Sequence, residues 1–122
     1  MTATHGRICY LEIPALDVER SATFYTTAFG WKVRIRGDGA RAFDDASGAV
    51  SGSWVAGRVP MKEAGIVTYV QVDEIDATLT TVVGAGGSMV TPRTDTGDGR
   101  SWYAVIRDPA GNLVGLYQQL PQ

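Results

Sequence analysis

Histidine and cysteine are nearly missing from this 122-residue chain, which has one of each, His5 and Cys9. A lone cysteine cannot close an intramolecular disulfide, and the apolar, strand-like run around Cys9 predicts a buried, inert thiol. His5 precedes every periodic segment and reads as a solvated leader residue, so no Ser–His or Cys–His pair is available for nucleophilic chemistry. Basic residues are not in excess either: 11 Lys and Arg stand against 13 Asp and Glu, for a net charge of −2. A nucleic-acid footprint would need a basic patch to match phosphate charge, so nucleic acid is not an expected partner. No apolar run reaches the roughly 20 residues of a membrane span. "MTATHGRICYLEIP" also lacks the apolar stretch of a signal peptide, so the expectation is a cytoplasmic protein with no membrane partner. No glycine-rich phosphate cradle opens into a helix, because "GDGAR" and "TGDGR" read as charged turns.

What is present is enough for a core. Apolar residues make up 44% of the chain, consistent with one compact unit. "RICYLEIPA" alternates around β-branched and aromatic residues and predicts a strand. "LDVERSATFYTTAFG" then predicts a helix, with Asp17 as cap, Val18, Ala22, Tyr25 and Phe29 on one face, and Gly30 as the stop. Trp31 follows and is expected to close the helix end against the sheet. Strands are predicted in "WKVRIR", "ARAFDD" and "AVSGSWVAG", and "GRVPMKEAG" reads as a connector. The pattern restarts with strand "GIVTYVQVD" and helix "EIDATLTTVVGAGG", then strands "SMVTP", "RSWYAVIRD" and "NLVGLYQQL". "RTDTGDGR" is expected to be a mobile loop.

The restart is arithmetical. A shift of 57 superimposes Val18 on Ile75, Ala22 on Leu79, Tyr25 on Val82 and Gly30 on Gly87. For the last strands the shift becomes 63, pairing Gly48 with Gly111, Gly52 with Gly115 and Trp54 with Tyr117. The six additional residues fall most simply in the 91–100 loop. The expectation is therefore an α+β chain, βαβββ twice: one domain over 1–122, with modules 6–57 and 64–120 and connector 58–63.

"YLEIPALDVERSATFYTTAFGW", "VQVDEIDATLTTVVGAGG" and "RDPAGNLVGLYQ" closely resemble the vicinal oxygen chelate superfamily, across about nine tenths of the chain. That superfamily includes glyoxalase I, extradiol dioxygenases, fosfomycin-resistance enzymes and bleomycin-resistance proteins. The resemblance implies that each module is a curved mixed sheet with a helix on its outer face, and that two modules form a ligand cleft. Members this small usually dimerise, side by side or by exchanging a module, so a homodimer is expected. The family's metal enzymes place one ligand in each first strand and one in each last strand. Carried over, those positions are Tyr10, Val67, Gly52 and Gly115, none of them an imidazole or a carboxylate. A divalent ion needs several N or O donors, so no metal and no cofactor is expected.

Glycine inside a strand needs a reason, and Gly52 and Gly115 together suggest room for a flat ligand. Period-two alternation places Tyr10, Glu12, Trp54, Tyr69 and Tyr117 beside them. The facing of "RSWYAVIRD" is ambiguous, so either Trp102 or Tyr103 joins the set. Aromatic walls grip planar compounds, with Glu12, Tyr10 and Arg100 as polar anchors. The function expected is sequestration of a bulky aromatic natural product or antibiotic without catalysis. The alternative is a metal-free enzyme of the same superfamily, in which Glu12 acts as acid or base on a carbonyl or polyketide-like substrate.

Overall fold

The computed structural model describes residues 5–120. The elements are β1 (Tyr10–Pro14), α1 (Val18–Phe29), β2 (Lys32–Ile35), β3 (Arg41–Asp44) and β4 (Ser51–Val55), then β5 (Tyr69–Gln71), α2 (Ile75–Gly84), β6 (Ser88–Asp95), β7 (Ser101–Arg107) and β8 (Leu113–Gln119). They form two four-stranded mixed sheets, ordered β1-β4-β3-β2 and β5-β8-β7-β6. In each, the first strand runs parallel to the last, and the others pair antiparallel. The βαβββ unit is thus present twice.

Helix α1 forms where its cap and period predict. The Asp17 carboxylate accepts the Arg20 N–H, and Gly30 takes the left-handed φ of 71° that ends the helix. Its inner face buries Ala22 and Tyr25, with Phe24 and Ser21 beside them. Tyr25 stacks on Trp31, Trp31 stacks on Phe43, and Phe43 tilts against Trp54, at centroid separations of 4.7, 4.6 and 4.9 Å. These four rings are the core between α1 and the first sheet. Each contributes roughly 1.5–3 kcal/mol by burial. Trp31 therefore does close the helix end, at 6% exposure. In the second half Ile75 and Val82 of α2 pack with Ala104, Ile106, Val114 and Leu116 of β7 and β8.

Two expectations are corrected. Cys9 is exposed, because β1 starts one residue later and Cys9 lies before the packed part of the strand. β6 runs on to Asp95, so the first half of the predicted loop is strand, with register shifts between Met89 and Thr94. The additional residues of the second half lengthen β6 as well as the turn.

The halves are joined by a buried polar clasp. The Tyr25 hydroxyl donates to Asp108 Oδ2 at 2.8 Å across 83 residues of sequence. Asn112 Nδ2 donates to the same oxygen at 2.9 Å and to the Pro14 carbonyl at 2.7 Å. Asn112 Oδ1 accepts the Met61 N–H at 2.8 Å, which ties in the connector. Asp108 and Asn112 are 3% and 4% exposed. Burial first, and the Asp108 charge second, push the Tyr25 hydroxyl well above the usual tyrosine range.

Candidate functional site

Each sheet has one face on its helix and one open face. Residues opposite each other in register share a face. Gly52 pairs with Leu11 and with Phe43, and Trp54 pairs with Ile13. Phe43 and Trp54 belong to the aromatic core, so Gly52 and Trp54 face the helix, contrary to the expectation that both line a cleft. A Cβ on Gly52 would collide with the Phe43 ring, 2.7 Å from Cε2, and with the Leu11 carbonyl. Gly52 makes room for the core, not for a ligand.

The cause is a one-residue difference between the halves. The turns match at a shift of 63: Gly48 N–H bonds the Asp45 carbonyl and Gly111 N–H bonds the Asp108 carbonyl. After them the halves part. Asp45 N–H bonds the carbonyl of Val50, whereas Asp108 N–H bonds that of Asn112, one residue sooner. β8 accordingly pairs Gly115 with Tyr69, and β4 pairs Ser53 with Glu12, the residue equivalent to Tyr69. Ser53, rather than Gly52, is the counterpart of Gly115. A slip of one reverses every side chain.

Gly115 does lie on the open face of the second sheet. Its Cβ position is occupied by the ring of Tyr69, with Cγ at 2.7 Å. The flat group that fits there is one of the protein's own. Tyr103 pairs with Tyr117, and Tyr117 pairs with Gln71, so Tyr69, Tyr103 and Tyr117 share this face around Gly115. Trp102 points the other way, where Arg93 lies 5.6 Å over its ring and reaches Asp76 of α2. That resolves the facing of β7 in favour of Tyr103. Val67 lies just before β5 and is half-buried, and Arg100 is exposed in the β6–β7 turn.

The open face of the first sheet carries Tyr10 and Glu12, which the structure separates from Gly52 and Trp54, and a set of charged residues not singled out in the sequence. Asp44 pairs with Ser51 and Lys32, and Ala42 with Ser53 and Arg34. Arg34 grips Asp44 through Nε–Oδ2 at 2.8 Å and Nη2–Oδ1 at 3.0 Å, and Ser51 Oγ adds a bond to Oδ1 at 2.7 Å. The Arg34 guanidinium, and then the Ser51 hydroxyl, hold the Asp44 carboxyl below the usual range. The alternation of Lys32, Arg34 and Arg36 in "WKVRIR" is the signal that would have found this face.

Glu12 lines a mostly apolar hollow with Leu11, Ile13 and Val70, but its carboxylate reaches solvent. It is half exposed and bonds Arg58 Nη1 at 2.9 Å. Of the four positions that the resemblance suggested for a metal, Val67 and Gly115 offer no side-chain donor and Gly52 faces the helix. Among the described residues no group of three His, Cys, Asp or Glu could hold a metal ion.

Two hollows follow the seam between the halves. One, of about 160 Å³, is lined by Leu11, Ile13, Tyr25, Met61 and Val70 among others. The second, of about 350 Å³, has Phe29, Trp31, Phe43 and Tyr69 in its wall. Neither includes Tyr103 or Tyr117. Ligand sites typically span about 300–1,000 Å³ and bury most of the ligand, so the smaller hollow is too small for a polycyclic body.

Sequence comparison agrees with this architecture. The profile of the Glyoxalase/Bleomycin resistance protein/Dioxygenase superfamily matches residues 7–116. The chain belongs to that superfamily. It is 30% identical over 119 residues to a glyoxylase-like domain-containing protein of Didymella fabae, covering 92% of this chain and 93% of the relative. It is 32% identical over 127 aligned positions to CFP32 of Mycobacterium bovis, where 89% of this chain spans 44% of the relative. The fold also matches the fosfomycin resistance protein FosX from Listeria monocytogenes, with a TM-score of 0.77 at 15% identity, over 94% of this chain and 92% of that one. Among the described residues no helix is long and apolar enough to cross a membrane.

Proposed function

We propose that this superfamily member is a metal-independent binding protein that holds a bulky, planar aromatic compound and sequesters it, without a cofactor. The observation that carries this reading is the trio Tyr69, Tyr103 and Tyr117 around Gly115 on the open face of the second sheet. Three phenol rings on one pleated surface give stiff, polarisable area for stacking, about 0.5–1.5 kcal/mol per ring beyond area burial. One face alone cannot enclose a ligand. Tyr10 and Tyr69 are 46% and 50% exposed in a single chain, which supports a homodimer in which a second copy closes over these faces. That FosX is a fosfomycin resistance protein supports a protective reading of such binding. The enzymatic alternative lacks a partner group, because Glu12 is half exposed and engaged by Arg58.

The test is native mass spectrometry of the purified chain against a panel of polycyclic aromatic compounds, followed by release and analysis of the ligand. One compound per chain, recovered unchanged, is expected. Tyr117→Ala should weaken binding about 10-fold, the equivalent of about 1.4 kcal/mol. A chemically altered product, or an affinity indifferent to Tyr69, Tyr103 and Tyr117 substitutions, would overturn the reading. Sedimentation should give twice the chain mass.

A further inference from the structure

The clasp that joins the halves has a counterpart in the first half, where it is incomplete. Asp45 matches Asp108 at the shift of 63, and each holds its own turn. Asp108 Oδ1 accepts the N–H groups of Ala110, Gly111 and Asn112, and Asp45 Oδ1 accepts those of Ala49 and Val50 with the Ser47 hydroxyl. Val50 stands where Asn112 does. Its N–H meets Asp45 Oδ1 at 3.4 Å and its carbonyl accepts the Asp45 N–H at 2.8 Å; Asn112 makes the same two bonds to Asp108, at 2.9 Å each. The second carboxylate oxygens differ. Asp108 Oδ2 takes the Tyr25 hydroxyl and the Asn112 amide, which also reaches the Pro14 carbonyl. Asp45 Oδ2 is offered neither, because valine has no amide and the residue matching Tyr25 is Val82. No hydrogen bond or ion pair reaches Asp45 Oδ2 among the described residues.

The residue matching Pro14, at the shift of 57, is Gln71, and its carbonyl is in the same position. The Thr68 carbonyl and the Val72 N–H bond β8, so by alternation the backbone groups of Tyr69 and Gln71 point to the unpaired edge of β5. Asp45, Val50 and Gln71 all line one hollow, that of about 350 Å³. Its other walls are largely apolar, with Leu11, Phe29 and Val70 among them, and Asp45 is the only charged residue in its lining. Where the second half has a finished clasp, the first half has a hollow bordered by two oxygen acceptors that lack the clasp's donors.

We infer that this hollow is a binding site for a small primary amine with an apolar body of about one ring. The ammonium group takes the place that the Asn112 amide has in the clasp, between a carboxylate oxygen and a backbone carbonyl. An ammonium only donates, so it suits two acceptors, and its charge answers the one carboxylate of the lining. The body lies against Leu11, Phe29 and Val70, and the volume is near the lower end of ligand sites. A carboxylate ligand would instead meet Asp45 as a like charge. The site is separate from the tyrosine face, since Tyr103 and Tyr117 do not line the hollow, and it does not rest on the sequestration reading.

2-Phenylethylamine, 2-phenylethanol and 3-phenylpropionate are probes of similar size and of positive, zero and negative charge. Their affinities for the full chain are measured by ligand-observed NMR titration. The amine should bind about 5- to 10-fold tighter than the alcohol, as expected for one charge-assisted bond at a half-buried carboxylate, and the carboxylate should bind more weakly than either. Asp45→Asn keeps an oxygen for the turn and removes the charge, so it should abolish the preference for the amine while leaving alcohol affinity unchanged. Val50→Asn supplies the missing amide from within the chain and should lower amine affinity at least about 10-fold; should Asp45→Asn fail to fold, this variant decides alone. Tyr117→Ala should leave amine binding unchanged. Equal affinities for amine and alcohol, binding of none of the three, or an amine preference that survives both Asp45→Asn and Val50→Asn would refute the inference. Loss of amine binding in Tyr117→Ala would move the amine to the tyrosine face and refute it too.

Discussion

Removing one oxygen from the clasp, by Tyr25→Phe, isolates what joins the two halves. The ring keeps its stacking on Trp31 at 4.7 Å and its edge contact with Phe24 at 5.1 Å. What is lost is the 2.8 Å bond to Asp108 Oδ2. Hydrogen bonds to charged groups contribute about 1.5–3 kcal/mol. Asp108 retains the N–H groups of Ala110, Gly111 and Asn112 on Oδ1 and the Asn112 amide on Oδ2, which places the loss near the lower end, about 1.5–2 kcal/mol. At about 4 °C per kcal/mol for a chain of this size, the thermal midpoint should fall by about 6–8 °C. The pH dependence supplies a second readout. The Tyr25 hydroxyl is held protonated in the folded chain above its ordinary value of 10.0, so the unfolded chain ionises first and folding loses stability as pH rises above that value. The unmodified protein should weaken steeply in urea titrations above that pH, and Tyr25→Phe should show a flatter profile. A loss below about 0.5 kcal/mol, with the alkaline slope unchanged, would show that Asp108 is satisfied without Tyr25 and that the clasp does not hold the halves together.

Gly52→Ala and Gly115→Ala test the facing of β4 and β8 by urea unfolding: the first drives a methyl into Phe43 and the Leu11 carbonyl and should cost about 1–3 kcal/mol, whereas the second first meets the half-exposed Tyr69 ring, which can swing aside, and should cost less while weakening ligand affinity. Equal losses would mean that the two glycines share an environment after all. Chelator treatment should change neither the thermal midpoint nor ligand affinity, and one tightly held zinc, iron or manganese per chain in elemental analysis would contradict the metal-free reading. Cys9 should react fully with a thiol reagent in the native protein, since it is exposed; a thiol reactive only after unfolding would contradict the placement of β1.

The elements and their order were legible in the sequence because each carries a local cause. Asp17 caps α1, Gly30 stops it, and the spacing of Ala22 and Tyr25 defines its inner face. The superfamily was legible as well, because "DVERSATFYTTAFGW" and "RDPAGN" recur in a fixed order. Part of the reason for the second motif is visible in the fold: its Asp and Asn are the two members of the clasp that Tyr25 reaches from the other half. The exposure of Cys9 was not legible, since apolar neighbours such as Ile8, itself 71% exposed, predict burial where no element covers them. The charged open face is written in the alternation of Lys32, Arg34 and Arg36.

The site was harder to read than the fold because a β-strand stores facing in parity alone. Two glycines that align at a shift of 63 suggested a shared role, and that match placed Gly52 opposite a ligand. Burial argues for a shift of 62 instead, which brings Trp54 onto Leu116 and Gly52 onto Val114, all buried on the helix sides of their sheets. The additional residue follows Gly48, in a turn where a β-bridge can begin one position later at little cost in stability. Chemical identity between repeats is thus weaker evidence of equivalent position than identity of environment. Once the register is corrected, the two open faces differ in kind: tyrosines surround Gly115 on one, and Lys32 and Arg34 share the other with Ala42 and Ser53.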